Sequence, residues 1–149
     1  MKLEDEVMNK LKEAMKEKDH ARMEALRAIR AAILNAKTAA DMKEMDEQTE
    51  LKLLQRLVKQ RLDSMQIFQA QNRPDLAEKE ETQARIISEF LPEQMSEEEI
   101  EKIIDEIIAE TNAQSMKDMG KVMGMASEKT AGRADNKTIS VIVRRKLTS

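Results

Sequence analysis

The sequence predicts an all-α protein, and three observations carry that reading. Only two of its 149 residues are aromatic, both Phe, too few for the strands of a sandwich or barrel. Three Gly and two Pro supply little turn chemistry for a many-stranded fold. Ala, Glu, Lys, Leu and Met outnumber the strand formers, and apolar residues recur at helical spacing along the chain.

Each helix has its own pattern. Leu3, Val7, Leu11 and Ala14/Met15 predict a first helix that stops at the polar run 16–19. Asp19 is placed to cap a second helix carrying Met23, Leu26, Ile29 and Ile33. Residues 36–47 are weakly patterned and read as a loop or a frayed helix end. A long third helix puts Leu51, Leu54, Val58, Leu62, Met65 and Phe68 on one face. Asn72-Arg73-Pro74-Asp75 breaks and restarts the chain, with Pro74 suited to a first helical turn. The fourth helix then turns Ala77, Ala84, Ile87 and Leu91 inward and stops at Pro92.

The composition changes beyond Pro92. Ser96-Glu97-Glu98-Glu99 has the form of a capping box, in which the hydroxyl satisfies an orphan amide and Glu99 reaches back. It opens a helix striped by Ile100, Ile103, Ile104, Ile107 and Ile108. Ser115 and Asp118 repeat that logic before a helix starting at Met116, whose expected buried stripe is Met116, Met119, Val122, Met123 and Ala126. Met125 falls off that stripe. Gly132 is a natural stop, and Asp135 can cap a last helix carrying Ile139, Ile142, Val143 and Leu147. The expected organisation is a four-helix N-terminal domain, 1–91, and a three-helix C-terminal domain, 92–149. The second is small enough to lean on the first or on a partner.

Composition also removes functional classes. Without Cys there are no disulfides, zinc fingers or thiol nucleophiles. A single His, His20, argues against His-pair metal sites and Ser-His-Asp triads, and it reads as a surface residue. The adjacent acids 97–99 read as helix-dipole partners, and neither a metal nor a cofactor is expected. No stretch approaches the roughly 20 apolar residues of a membrane span, and the N-terminus is too charged for a signal-peptide core. No membrane association is expected, and a cytoplasmic location is the expectation.

The net charge of -3 conceals its distribution. Residues 1–91 balance to -1, residues 92–110 hold -7, and residues 111–149 hold +5. The basic end consists of Lys117, Lys121, Lys129, Arg133, Lys137, Arg144, Arg145 and Lys146. Such side chains are either ordinary dipole partners of the last helix or contacts for a phosphate-bearing partner. Gly120 and Gly124 fall side by side on one helix edge, with Lys117 and Lys121 just beyond. Each Gly costs the helix about 1 kcal/mol relative to Ala. That cost implies close approach of another backbone, a neighbouring helix being favoured over a phosphate strand.

Five motifs in series resemble the GatB/YqeY family. They are Lys59-Gln60-Arg61-Leu62-Asp63-Ser64 with Phe68, Arg73-Pro74-Asp75-Leu76-Ala77-Glu78-Lys79-Glu80, and Phe90-Leu91-Pro92-Glu93-Gln94-Met95-Ser96-Glu97-Glu98-Glu99. Asp118-Met119-Gly120-Lys121-Val122-Met123-Gly124 and Gly132-Arg133-Ala134-Asp135 complete the series. The chain is similar to a stand-alone member of the family from its first helix to its C-terminus. Asn136 stands where the family usually has glycine, and Asn tolerates left-handed geometry, so that turn is expected to survive.

The resemblance implies a two-part helical fold similar to the tail of the B subunit of the glutamine-dependent aspartyl/glutamyl-tRNA amidotransferase. In that enzyme the tail helps hold tRNA, while amide formation belongs to other domains. Family labels of carbon–nitrogen ligase activity therefore describe the enzyme rather than its tail. The expected function is a tRNA-binding or tRNA-associated module without catalytic residues, gripping phosphates through the eight C-terminal cations. The two Phe sit at expected core positions, so base stacking is minor. Lys59, Gln60, Arg61, Asp63, Arg73 and Asp75 could form a second polar patch. Ser64 beside Asp63 lacks the nearby base that a nucleophile needs. The alternative is an adaptor docking an amidotransferase, a synthetase or another translation factor, which twelve Met would suit.

Overall fold

The computed structural model describes residues 2–148, so Met1 and Ser149, the outermost residues of the two expected domains, lie outside the described chain. Among the described residues there are seven α-helices and one 3₁₀ turn, and no strand. The chain divides into two compact units, Met1–Leu91 and Pro92–Ser149.

In the first unit, α1 (Leu3–Glu17) buries Leu3, Val7, Leu11 and Ala14. Of the Ala14/Met15 pair only Ala14 faces the core, because Met15 lies a further 100° round the helix and is exposed. Lys18 turns left-handed at φ 56° to end α1, and Asp19 caps α2 (His20–Ala39), accepting from the Arg22 N–H at 3.1 Å. Helix α2 extends through part of the weakly patterned stretch, leaving residues 40–46 as the connection. Asp46 then caps α3 (Glu47–Ala70), accepting from the Thr49 N–H at 2.7 Å.

The stripe expected on α3 needs correction. Its buried residues are Leu53, Leu54 and Leu57; Leu51, Val58, Met65 and Phe68 are only partly buried, and Leu62 is exposed. The main partner of α3 is α4 (Pro74–Ser88), which rotates the buried face away from the line through Leu51 and Leu62. Asn72 adopts φ 58° and Pro74 occupies the first helical position, as the breaker motif requires. Helix α4 buries Ile86 and Gln83 beside Ala77, Ala84 and Ile87, whereas Leu91 lies past the helix end and is partly exposed. Leu26, Ile29, Leu54 and Ile87 are fully enclosed, each contributing about 1.5–3 kcal/mol over an exposed position.

In the second unit, the Ser96 hydroxyl accepts from the Glu99 N–H at 3.2 Å and opens α5 (Glu97–Thr111). Ile100, Ile104 and Ile107 are buried there, with Ile103 and Ile108 packed at the flanks. A 3₁₀ turn (Met116–Asp118) precedes α6 (Met119–Thr130) and carries a complete capping box between Ser115 and Asp118. Met116 belongs to that turn and is exposed, so the buried edge begins at Met119 rather than Met116. Met125, expected off the stripe, is partly buried against the core.

Helix α6 ends in two left-handed residues, Ala131 at φ 43° and Gly132 at φ 80°. Asp135 caps α7 (Asn136–Thr148), accepting from the Thr138 N–H at 2.7 Å, and α7 buries Ile139, Ile142, Val143 and Leu147. Asn136 is not a left-handed substitute for glycine. It is the first residue of α7, and its Oδ1 accepts from the Ser127 hydroxyl at 3.1 Å.

Candidate functional site

The apolar stripe of α7 determines where its cations point. With Ile139, Ile142, Val143 and Leu147 turned inward, the 100° step places Lys137, Val141, Arg144 and Thr148 on the opposite face. Lys137 and Arg144 are exposed, and Val141 between them is 59% exposed. Two turns separate the cations, about 10 Å along the axis. Lys117 lies in the 3₁₀ turn, which packs against α7, and Lys121 follows in the first turn of α6; both are exposed. Among the described residues none of these four cations has an ion-pair partner.

The other four expected contacts are engaged with acids. Lys129 lies 3.5 Å from Glu110. Arg133 donates through Nε to the Glu93 carbonyl at 2.9 Å and lies 3.9 Å from Glu99. Its own carbonyl accepts from the Met95 N–H at 2.8 Å, so Arg133 latches residues 93–95 to the α6–α7 turn. Lys146 bridges Glu101 at 2.7 Å and Asp105 at 3.3 Å, and Arg145 lies 3.4 Å from the same Glu101. Hydrogen bonding to Lys146 holds the Glu101 carboxyl below the usual carboxylate range, and Glu101 and Asp105 raise the Lys146 ammonium in turn. The acidic stretch that opens the unit therefore neutralises half of the basic stretch that closes it. Sequence reasoning missed this pairing because the partners lie about 20 to 45 residues apart; only the packing of α6 and α7 against α5 brings them together.

The glycine edge also needs correction. Gly120 and Gly124 are exposed, and a Cβ added at either would meet nothing within 4 Å. Among the described residues no neighbouring helix approaches them, because the core side of α6 is occupied by Val122, Ala126 and Thr130. What lies beside Lys117 and Lys121 is an open surface of backbone. Asp118 beneath it accepts from the Gln114 N–H at 3.0 Å and the Ser115 N–H at 3.4 Å, which hold its carboxyl below the ordinary aspartate value.

The second polar patch does not form one surface. Arg61 lies 4.0 Å from Glu80 on the side of α3 that meets α4. Lys59, Gln60 and Asp63 are exposed, and Lys59 and Asp63 lie on a different side of α3 from Arg61. Arg73 and Asp75 bond each other at 3.0 and 3.2 Å across the α3–α4 turn, which raises the Arg73 guanidinium and lowers the Asp75 carboxyl. Ser64 is partly buried. His20 is exposed at the start of α2. Among the described residues no three acidic or His side chains cluster to hold a metal, and no helix is long and apolar enough to cross a membrane.

Fold and surface together define an all-helical protein whose last three helices present an incompletely neutralised basic face. A family model described as Yqey-like protein matches residues 4–147, and the chain belongs to the YqeY family. It is similar to proteins named altered inheritance of mitochondria protein 41, mitochondrial. The one from Lachancea thermotolerans is 38% identical over 81 residues, covering 54% of this chain and 43% of the relative. That from Candida glabrata is 37% identical over 84 residues, covering 56% and 46%. That from Saccharomyces cerevisiae is 36% identical over 81 residues, covering 54% and 44%. The matched segment spans less than half the length of these curated relatives. Their names overturn the expectation of a cytoplasmic protein, since these relatives are named mitochondrial.

Proposed function

We propose that the C-terminal unit is an RNA-binding module without an active site of its own, with tRNA as its partner. The observation that carries this reading is the set of four exposed cations without an ion-pair partner among the described residues: Lys117, Lys121, Lys137 and Arg144. Unpaired, exposed ammonium and guanidinium groups exchange small counterions for phosphates at little desolvation cost. Phe68 and Phe90 are both partly buried, which removes base stacking as the main source of affinity. Recognition then follows phosphate position and helix shape, and it weakens steeply with salt. The open backbone at Gly120 and Gly124 suits close passage of a phosphate strand beside Lys121. Resemblance to the amidotransferase tail supports tRNA over other RNA.

A protein-docking reading has one observation of its own. Val141 is an exposed apolar side chain centred between Lys137 and Arg144, an arrangement that also suits an amidotransferase or synthetase surface. Titration of labelled tRNA at two salt concentrations tests the first reading. Tight binding at low salt, lost in Lys137→Ala/Arg144→Ala, supports it. No binding at low salt, or binding indifferent to both substitutions, refutes it. A partner retained after nuclease treatment favours docking.

A further inference from the structure

The hairpin of α1 and α2 carries a surface that the basic face of the second unit does not explain. On α2, Arg27, Arg30 and Leu34 each follow a buried residue, Leu26, Ile29 and Ile33, by one 100° step. On α1, Lys12 and Met15 follow buried Leu11 and Ala14 in the same sense. Glu4 and Lys37 lie on these same edges, and their ion pair at 2.9 Å shows that the two edges meet. The pair also fixes the antiparallel register: Leu34 lies level with Val7, and Met15 lies about 12 Å further along the hairpin.

The order of side chains along this seam is apolar, basic, apolar. Leu34 is 46% exposed at one end and Met15 52% exposed at the other. Between them Lys12, Arg27 and Arg30 are exposed, with no ion-pair partner among the described residues. The neighbouring acids do not compensate them. Asp5 lies past the Leu34 end, where it acts on Lys2, and Glu24 is turned toward Lys79. Three uncompensated cations call for a partner with acids at its centre. Bare phosphates would meet the cations but leave both aliphatic ends against water. An α-helix rises about 10–12 Å over seven or eight residues, so its apolar side chains at that spacing reach Leu34 and Met15 while acids between them meet the cations.

We propose that the outer face of the α1–α2 hairpin docks an acidic amphipathic helix of a partner protein. Its apolar side chains rest on Leu34 and Met15, and its carboxylates pair with Lys12, Arg27 and Arg30. The test is an NMR titration of the full chain with an alanine-based helical peptide carrying leucines at i and i+7 and three glutamates between them. Saturable shifts are expected at Met15, Arg30 and Leu34, and not along α7. Arg27→Ala/Arg30→Ala and Leu34→Gln change exposed positions, so they should melt close to the parent while each weakens binding roughly tenfold. A peptide of the same composition with its leucines at i and i+2, where they point to opposite sides, should bind roughly tenfold more weakly or worse. The proposal is overturned by the absence of a saturable shift, by equal binding of the two peptides, or by binding indifferent to both variants. Shifts as large at Lys137 and Arg144 overturn it as well. So does tighter binding of duplex RNA or phosphatidylserine vesicles to the same residues, which would assign the face to a nucleic acid or a lipid surface.

Discussion

Removing the Glu101 carboxylate tests the internal neutralisation of the basic face. Glu101 contacts Lys146 at 2.7 Å and Arg145 at 3.4 Å, so Glu101→Gln removes one acid from beside the Arg145 guanidinium and loosens one ammonium that Asp105 still holds at 3.3 Å. Each phosphate neutralised contributes about 0.7–0.9 to the slope of log affinity against log salt. Four contacts from Lys117, Lys121, Lys137 and Arg144 thus give a slope of about -3, an affinity loss of roughly 50- to 150-fold between 50 and 200 mM salt. Up to two further contacts steepen the slope to about -4 or -5 and tighten binding at the lower salt. Fluorescence anisotropy with labelled tRNA across that salt range reads both quantities. Glu106→Gln is the control, since it makes the same charge change on α5 at an exposed residue with no ion pair among the described residues. Equal effects of the two substitutions would mean that only net charge matters, and would sink the argument that Glu101 competes with phosphate.

Ile104 is fully buried among Ile100, Val122 and Ile139, and Ile104→Ala should cost about 2–5 kcal/mol in urea unfolding, while Val141→Ala costs under about 0.5; similar costs at both sites would contradict the assigned burial. Gly120→Ala and Gly124→Ala meet open space within a helix and should each stabilise the unit by up to about 1 kcal/mol. If RNA runs along that edge, the same substitutions weaken tRNA binding while raising the melting temperature; destabilisation would show that the edge is not open. The Asp118 carboxyl is depressed by the Gln114 and Ser115 amides, so its contribution is present above the ordinary aspartate value of 3.8 and disappears as pH falls through the lower folded value. Denaturation followed by circular dichroism from about pH 5 down to pH 3 should show a smaller loss in Asp118→Asn than in the parent; identical acid limbs would remove Asp118 from the account.

Helix ends were the most legible feature of the chain because capping is local. Asp19, Ser96, Ser115 with Asp118, and Asp135 each act on an amide two or three residues away, or on one just before the turn, and the structure places each where its spacing indicates. Apolar residues at every third or fourth position likewise identified the inner faces of α5 and α7. Periodicity succeeded only in part on α3: Leu54 of the expected stripe is buried, but Leu51, Val58 and Leu62 are not, and Leu53 and Leu57 are buried instead. The sequence of α3 offers apolar residues on more than one side, and the position of α4 selects among them. Gly120 and Gly124 misled for the related reason that a glycine marks permissible approach without showing whether anything approaches.

Net charge of -3 hid a basic end, and the local sum of +5 in turn hid how much of that end is already occupied. Composition and local spacing are enough to specify the helical fold class, the caps, the change of character at Pro92 and the inventory of cations. Which cations stay without an ion pair depends on how the helices pack. A hydrogen bond at a helix start depends on two or three intervening residues, whereas the pairing of Glu101 with Arg145 and Lys146 depends on the docking of α7 against α5. That docking is driven by the apolar stripes of both helices, so the hydrophobic core determines which charges remain for a partner.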